Sequence, residues 1–96
     1  MHIIVRYMPQ FVDDFNSFPE QKRIIIRSAI QKLNTNPYPK KNGGYGNVVF
    51  KASDGKILNA KILFTDIRIV YKIMKSKNNS TLVIYTAVTN DAVNPK

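Results

Sequence analysis

The chain lacks most of the residues on which catalytic and structural sites are usually built. It has no cysteine and no tryptophan, one histidine, and six acidic residues among 96. Without cysteine there is no disulfide framework, no thiolate nucleophile and no thiolate metal site. A single histidine with scattered acids gives no metal-ligand set and no Ser-His-Asp arrangement. We therefore expect neither a metal ion nor another cofactor.

Long apolar runs are also missing. No stretch is apolar enough over enough residues to cross a bilayer. The N-terminal run Met1–Arg6 carries its charge after its apolar residues, which is not the pattern of a secretory signal. We expect a cytoplasmic protein with no membrane partner, and the length suits one domain spanning residues 1–96.

The charge is the strongest global signal. Fifteen lysines and arginines face six acids, which gives a formal net charge of +9. Such an excess raises the electrostatic potential over much of the surface and attracts polyanions. The composition therefore predicts nucleic acid or an acidic protein as the partner.

The first third of the chain predicts a strand and two helices. Apolar β-branched residues from Ile3 onward predict a strand that ends near Tyr7. Pro9 opens a short helix over residues 8–15. A second helix over 19–34 follows from an apolar stripe, and Ser17 with Glu20 has the spacing of a capping box in front of it. The stripe consists of Ile26, Ala29, Ile30 and Leu33.

The remainder predicts a loop and four strands. Two prolines and three glycines make residues 36–46 a loop, after Asn36-Pro37 has ended the helix. A period of two then predicts strands at 47–52, 57–64, 67–74 and 81–88, with a tight link at Thr65-Asp66 and a loose tail after Val88. The fold class is α+β: an N-terminal strand, a two-helix hairpin and a four-stranded antiparallel meander, with the helices packed on one face.

Alternation along the strands predicts which residues remain on the open face. The apolar sets are expected against the helices, and they comprise Val48 and Phe50, then Leu58, Ala60, Ile62 and Phe64, then Ile67, Ile69, Tyr71 and Ile73. The open face then gathers Lys51, Asn59, Lys61, Arg68 and Lys72. Such a face binds phosphates or is simply solvated. Arg68 favours the first alternative, because its planar fork in mid-strand suits a phosphate.

One strand resembles a known family. The run Asp66-Ile67-Arg68-Ile69-Val70-Tyr71 resembles the arginine-containing strand of the RelE/ParE superfamily of type II toxins. Asn36-Pro37 with the glycine loop behind it is similar to a connection of the same family, and so is the element order. The resemblance runs from residue 3 to residue 88. It implies a toxin neutralised by an acidic antitoxin.

The resemblance also implies an activity and its residues. Many members cleave mRNA at the ribosome, through attack of a ribose 2′-hydroxyl on its own 3′ phosphate. Arg68 matches the family arginine near the scissile phosphate, Lys61 matches a basic position on the preceding strand, and Lys51 is a looser match; these three are the catalytic candidates. Tyr71 is expected to pack. The general base stays open between Lys51 and Lys61, because neighbouring cations help a lysine to lose its proton.

Further cations are candidates for nucleic-acid binding. Lys40, Lys41 and Tyr45 lie in the loop, where charge and stacking suit RNA; Lys56 lies at a hairpin tip and Lys72 on a strand. Two alternatives to the RNase remain. One is a ParE-like inhibitor of DNA gyrase without enzymatic activity, and the other is a basic nucleic-acid-binding module without toxicity. Both are favoured by residues 89–96, which lack the His, Tyr or Arg that many ribosome-dependent members carry there.

Overall fold

A computed structural model of the chain describes residues 2–63, 66–77 and 79–89, and of His2 the backbone only. The element order is β1 (His2–Tyr7), α1 (Pro9–Ser17), α2 (Glu20–Thr35), a 3-10 turn (Lys40–Asn42), β2 (Val48–Lys51), β3 (Ile57–Leu63), β4 (Ile67–Lys75) and β5 (Asn79–Thr89). The predicted α+β class and element order are confirmed. Phe64, the link residue Thr65 and the tail from residue 90 lie outside the described residues.

The helices form where the sequence predicts them. Pro9 occupies the first turn of α1, where its missing N–H leaves no hydrogen bond unmade. α2 buries the predicted stripe of Ile26, Ala29, Ile30 and Leu33. No helix among the described residues is both long and apolar enough to cross a bilayer.

The predicted capping box is wrong. Ser17 belongs to the last turn of α1, where its Oγ donates a hydrogen bond to the carbonyl oxygen of Asp14 (2.6 Å). The residue that precedes α2 is Pro19, and no side chain caps that helix. Because only two residues separate the helices, the Ser17 hydroxyl is used at the end of α1 and not at the start of α2.

The strands form one sheet in the order β1-β5-β4-β3-β2. The predicted meander is confirmed, since β2 through β5 pair antiparallel, while β1 adds parallel to β5. α1 holds the end of β5 through one carboxylate: Asp14 accepts hydrogen bonds from the Thr86 hydroxyl and from the Ala87 backbone N–H (3.2 Å). The core lies between the helices and one face of the sheet, with Ile67, Ile69, Tyr71, Leu82 and Ile84 on the sheet side.

The predicted faces of β2 and β3 are wrong. β4 presents Ile67, Ile69 and Tyr71 to the helices as predicted, and the pairs Leu63↔Ile67, Lys61↔Ile69 and Asn59↔Tyr71 put the odd-numbered residues of β3 on that same face. The sequence-based link of two residues implies Phe64 opposite Ile67. The actual link is one residue longer, and a shift of one residue moves every side chain of a strand to the other face.

The two faces of the sheet therefore differ from the prediction. The helix-side face carries Val49 and Lys51 of β2, and Ile57, Asn59, Lys61 and Leu63 of β3. The other face, which none of the described helices covers, is called the uncovered face. It carries Val48, Phe50, Leu58, Ala60, Ile62, Arg68, Val70 and Lys72.

The loop over residues 36–46 is closed on itself and on the sheet. The Tyr71 hydroxyl is buried and donates to the Pro37 carbonyl oxygen (2.6 Å). The backbone N–H groups of Tyr45 and Gly46 donate to the carbonyl oxygens of Asn36 and Tyr38, each at 3.0 Å. This places the 3-10 turn with Lys40 and Lys41 beside the helix-side face.

Candidate nucleic-acid interface

Lys61 lies in a groove between β3 and α2. This Lys61 groove has a volume of about 290 Å³ and is lined by Ile24, Ile25, Ser28, Ala29, Lys32, Lys61 and Leu63. The small side chains of Ser28 and Ala29 leave room for the aliphatic part of Lys61 to lie against the helix while its ammonium group reaches water. Lys32 comes from the last turn of α2 and lines the same groove.

The Lys61 ammonium group is destabilised in this position. Burial lowers its pKa from the usual 10.5, and the positive charges of Lys40 and Lys32 lower it further. No described hydrogen bond or ion pair involves Lys61, Lys32 or Lys40 through the side chain. Three amines thus converge without a carboxylate, and the arrangement suits an anion held between them.

A second cleft, called the loop cleft, opens on the same face of the sheet. It has a volume of about 530 Å³. Its floor consists of Val49, Ile57, Asn59 and Ile73, its wall of Tyr38, Pro39, Lys41 and Asn42, and Lys72 and Lys75 of β4 also line it. The Lys75 Nζ lies 5.0 Å from the centre of the Tyr38 ring, within the range of a cation–π contact.

Arg68 lies on the uncovered face, away from both openings. It pairs in register with Ile62 and Val88, so its flanking residues are apolar. Its side chain is half-buried, and its Nε is enclosed with no hydrogen-bond partner. A guanidinium group left unpaired among apolar side chains is a ready partner for a phosphate or a carboxylate.

The predicted catalytic residues do not come together. Arg68 and Lys61 extend from opposite faces of the sheet, and Lys51 lies on the helix-side face at the edge strand, paired with Ile57. Ile57 is four residues from Lys61, roughly 13 Å along the strand. The predicted open face that gathers Lys51, Asn59, Lys61, Arg68 and Lys72 is therefore wrong.

The predicted binding residues divide in the same way. Lys40 lies near Lys61, and Lys41 lines the loop cleft. Tyr45 is exposed at the end of the loop, and Lys56 is exposed at the β2–β3 hairpin with its Nζ 3.9 Å from Asp54. Lys72 pairs with Val83 and belongs by register to the uncovered face, although it also borders the loop cleft.

Comparison of the fold with solved structures finds similar proteins, whereas comparison of the sequence finds none. No family model matches the chain, and no curated protein matches its sequence. Over 93% of the chain, however, the fold superposes on RelE in an archaeal RelE–RelB complex from Pyrococcus horikoshii, with a TM-score of 0.68, 17% identity and 96% of that chain covered. A YoeB/ParE toxin from Agrobacterium tumefaciens gives a TM-score of 0.68 at 15% identity over 98% of that chain.

A third structure agrees with these two. The toxin–antitoxin complex RelBE2 from Mycobacterium tuberculosis gives a TM-score of 0.59 at 15% identity, over 93% of this chain and 99% of that one. The chain has the RelE/ParE toxin fold. The fold expected from the Arg68 strand and from the element order is thereby confirmed.

Some members of the candidate interface are missed by sequence reasoning. On this RelE/ParE toxin fold, Lys32 and Lys75 join the helix-side openings, although α2 periodicity only marks Lys32 as exposed and nothing singles out Lys75. Tyr38 lies in the loop that was already expected to bind RNA, and its partnership with Lys75 depends on the loop folding onto β4. Among the described residues, no group of three or more His, Asp or Glu side chains lies close enough to hold a metal ion.

Proposed function

We propose that the protein is a toxin of a type II toxin–antitoxin pair that cleaves messenger RNA at the ribosome and is neutralised by an acidic antitoxin. The observation that carries the chemistry is the convergence of Lys32, Lys40 and Lys61 without a carboxylate, with the pKa of Lys61 lowered. The toxin assignment is supported by the fold, because two of the similar structures are toxin–antitoxin complexes.

Lys61 is the proposed general base. A lysine whose pKa is lowered is more often neutral near physiological pH and can accept a proton. Its amine takes the proton from a ribose 2′-hydroxyl, and the oxygen attacks the adjacent 3′ phosphorus. The bond from phosphorus to the 5′ oxygen of the next nucleotide breaks, that oxygen takes a proton from water, and the hydroxide formed takes back the proton held by Lys61. The products are a 2′,3′-cyclic phosphate and a 5′-hydroxyl.

Lys32 and Lys40 are the proposed phosphate-binding residues beside this base. Negative charge develops on the phosphate oxygens in the transition state, so cations that are already in place stabilise it. The remaining cations would position the RNA strand. Lys41 and Tyr45 extend this surface along the loop, and Lys51 and Lys56 extend it along the edge strand and its hairpin.

The uncovered face around Arg68 is the alternative location for catalysis. The family resemblance assigns Arg68 to the scissile phosphate, and that role is supported by the lack of any described hydrogen bond or ion pair of its side chain. Because Arg68 and Lys61 extend from opposite faces, the two residues do not serve one phosphate together. On the uncovered face Lys72 is the next cation along β4, and the flanking residues are apolar.

The uncovered face is also the proposed docking surface for the antitoxin. Val48 and Met74 are 42% and 50% exposed on a face that no described helix covers. Exposed apolar residues grouped on one surface are typical of protein interfaces. Arg68, which extends from the same face, would meet a carboxylate of an acidic antitoxin, so the net charge of +9 and the apolar face favour the same partner.

A gyrase inhibitor without enzymatic activity is the second candidate. The observation that favours it is the separation of Arg68 from Lys61, which divides the residues that the resemblance assigns to one catalytic site. Binding to gyrase needs a charged and apolar surface but no general base. A basic binding module without toxicity is the third possibility, and it shares the surface but not the effect on growth.

The test is induction in a bacterial host of the wild-type protein, Lys61→Met and Arg68→Met. Lys77→Met and Arg27→Met are matched controls, because both residues are exposed and lie outside the proposed sites. Growth, cleavage of transcripts and DNA breaks are followed together. Wild type and both controls should arrest growth with cut messages. Lys61→Met should slow cleavage by about a hundredfold or more, as is usual for loss of a general base.

Other outcomes decide between the alternatives. Cleavage that is lost in Arg68→Met and kept in Lys61→Met places catalysis on the uncovered face. Growth arrest with DNA breaks and intact messages favours the gyrase inhibitor. Absence of arrest with folded wild-type protein excludes both toxin assignments and leaves the binding module.

A further inference from the structure

The loop cleft contains polar groups that the fold itself does not use. Asn59 is only 9% exposed and lies on the cleft floor, and its side-chain amide makes no described hydrogen bond. The Tyr38 hydroxyl on the opposite wall is buried and also lacks a partner. Buried amides and hydroxyls are normally satisfied, because leaving them unpaired costs free energy. The Tyr38 hydroxyl is such an enclosed group, whereas the Asn59 amide reaches the open cleft, where a ligand can use its donor and its acceptor.

The remaining lining of the cleft narrows the chemistry of that ligand. Val49, Ile57 and Ile73 give the floor an aliphatic surface beside the Asn59 amide. Lys41 and Lys75 stand at the margin, and Lys75 is held over the Tyr38 ring. The ligand should accordingly be planar and apolar on its faces, carry donors and acceptors on its edge, and be attached to an anion.

We propose that the loop cleft binds one nucleobase of a single-stranded nucleic acid, with Asn59 contacting the base edge and Lys41 and Lys75 contacting the flanking phosphates. An amide offers both a donor and an acceptor, which is what the edge of a base requires. The acidic side chains of an acidic peptide, the other polyanion that suits the charge, carry no planar ring that would lie on the aliphatic floor. The proposal rests on the proposed function only in taking RNA as the target.

The loop cleft and the Lys61 groove lie on the same face of the sheet. Lys41 lines the cleft, and its neighbour Lys40 is close enough to Lys61 for its charge to lower the pKa of that lysine. A strand whose scissile phosphate lies at Lys61 would thus pass directly to the loop cleft. A base held there fixes the register of the strand, and the cleft becomes a determinant of which nucleotide stands next to the cut.

The experiment measures binding alone, with a fluorescent single-stranded 2′-O-methyl oligonucleotide that cannot be cleaved. An abasic strand of the same length and charge is the second probe. The wild-type protein should bind the oligonucleotide more tightly than the abasic strand. Asn59→Leu should weaken binding of the oligonucleotide by about fivefold to tenfold, the size expected for loss of hydrogen bonds to one base. Its affinity for the abasic strand should not change.

Val49→Ser and Val48→Ser form a matched pair for the same test. The two residues are neighbours in β2 with similar exposure, 48% and 42%, but only Val49 lies in the cleft. Both variants should fold, because both positions are exposed at an edge strand. Val49→Ser should weaken binding of the oligonucleotide, and Val48→Ser should not.

Three results overturn the proposal. The first is equal affinity of the wild-type protein for the oligonucleotide and the abasic strand. The second is that Asn59→Leu and Val49→Ser, each folded, both bind the oligonucleotide as tightly as the wild-type protein does. The third is that the Asn59→Leu variant binds an acidic peptide more weakly than the wild-type protein does, while its affinity for the oligonucleotide is unchanged. Because no cleavage is measured, failure of the RNase proposal leaves this result unaffected.

Discussion

At the scale of single residues, Lys61 combines a destabilising position with a proposed role. Its pKa is lowered by burial and by Lys40 and Lys32, so its protonated form is less favourable in the folded chain than in the unfolded chain. The unfolded chain therefore binds more protons just below the usual pKa of 10.5, and the free energy of unfolding rises with pH in that window. Above 10.5 this contribution vanishes, because both states are then neutral.

Lys61→Met should make the protein more stable at neutral pH. Methionine keeps the apolar contact with α2 and removes the repelled charge. The gain should not exceed about 1 kcal/mol, because the amine is partly solvated and its repulsion is screened. Urea unfolding measures it, with Lys77→Met as the control for loss of an exposed lysine. A Met variant less stable than wild type would show that the amine has a favourable partner after all.

Tyr71 has the opposite effect on the free energy of unfolding as the pH rises into the alkaline range. Burial raises its pKa to about 12. Since this folded value lies above the unfolded value of 10.0, the protonated phenol stabilises the fold below pH 10 and that stability is lost as the pH rises through about 12. Its hydrogen bond to Pro37 depends on the same proton.

Tyr71→Phe should lower the free energy of unfolding by about 1–3 kcal/mol at neutral pH, since the Pro37 carbonyl loses its buried donor. The variant should also lose the part of the alkaline destabilisation that arises from tyrosine ionisation. Urea titrations at neutral pH and through the alkaline range test both effects. If Tyr71→Phe loses the expected stability at neutral pH but its stability still falls with alkaline pH as in the wild type, the alkaline fall arises from another group.

At the scale of elements, the loop over 36–46 depends on close contact between its two ends. A Cβ on Gly44 would lie 1.9 Å from the Tyr38 carbonyl oxygen, and this contact with backbone cannot be relieved by a side-chain movement. Gly43 has a φ of +84° but open space around it, so only its backbone conformation is special. The two neighbouring glycines therefore serve different physical needs.

Gly44→Ala should open the loop, whereas Gly43→Asn should be tolerated because asparagine adopts positive φ at small cost. Opening should destabilise the protein by about 2 kcal/mol or more, as backbone strain in a closed loop does. Hydrogen exchange at the backbone N–H groups of Tyr45 and Gly46, which hydrogen-bond across the loop, reports it directly. Unchanged protection of those groups in Gly44→Ala would mean that the loop relaxes without opening.

The strands show which part of the fold can be predicted from the sequence and which part cannot. β4 alternates cleanly between Ile67, Ile69 and Tyr71 and the more polar set, so its core face follows from the sequence alone. β3 has apolar residues on both sets, and its orientation depends on the length of the link to β4, where one residue more exchanges the faces. Local composition does not determine that length, and so Lys61 and Arg68 are predicted together although they lie apart.

The candidate site is predictable to the same extent. Lys40, Lys41 and Lys61 follow from charge in a loop and on a strand, and the structure brings them to one face. Lys32 and Lys75 join them only through the contact of α2 with β3 and of the loop with β4. These are contacts between residues far apart in sequence, and no periodicity within one element encodes them.

At the scale of the whole molecule, the net charge is +9, and the described ion pairs involve cations away from the Lys61 groove and the loop cleft. The described ion pairs are Lys22 with Asp66 at 2.9 Å and Lys56 with Asp54 at 3.9 Å. No described ion pair involves Lys32, Lys41 or Lys61, which line the Lys61 groove and the loop cleft, or Lys40, which is close to Lys61. The free positive charge of the helix-side face is therefore available to a polyanion without the breaking of an internal pair.

Salt dependence distinguishes a defined RNA surface from diffuse attraction. Each phosphate contact on a single strand contributes about 0.7 to the slope of log affinity against log salt concentration. Lys41→Ala should therefore lower the magnitude of that slope by about 0.7 for the 2′-O-methyl oligonucleotide. Lys77→Ala, which removes the same charge at an exposed position away from both openings, should leave the slope unchanged while slightly weakening long-range attraction. If both variants lower the slope equally, the strand is held by the net charge of the molecule, and neither the Lys61 groove nor the loop cleft is its binding site.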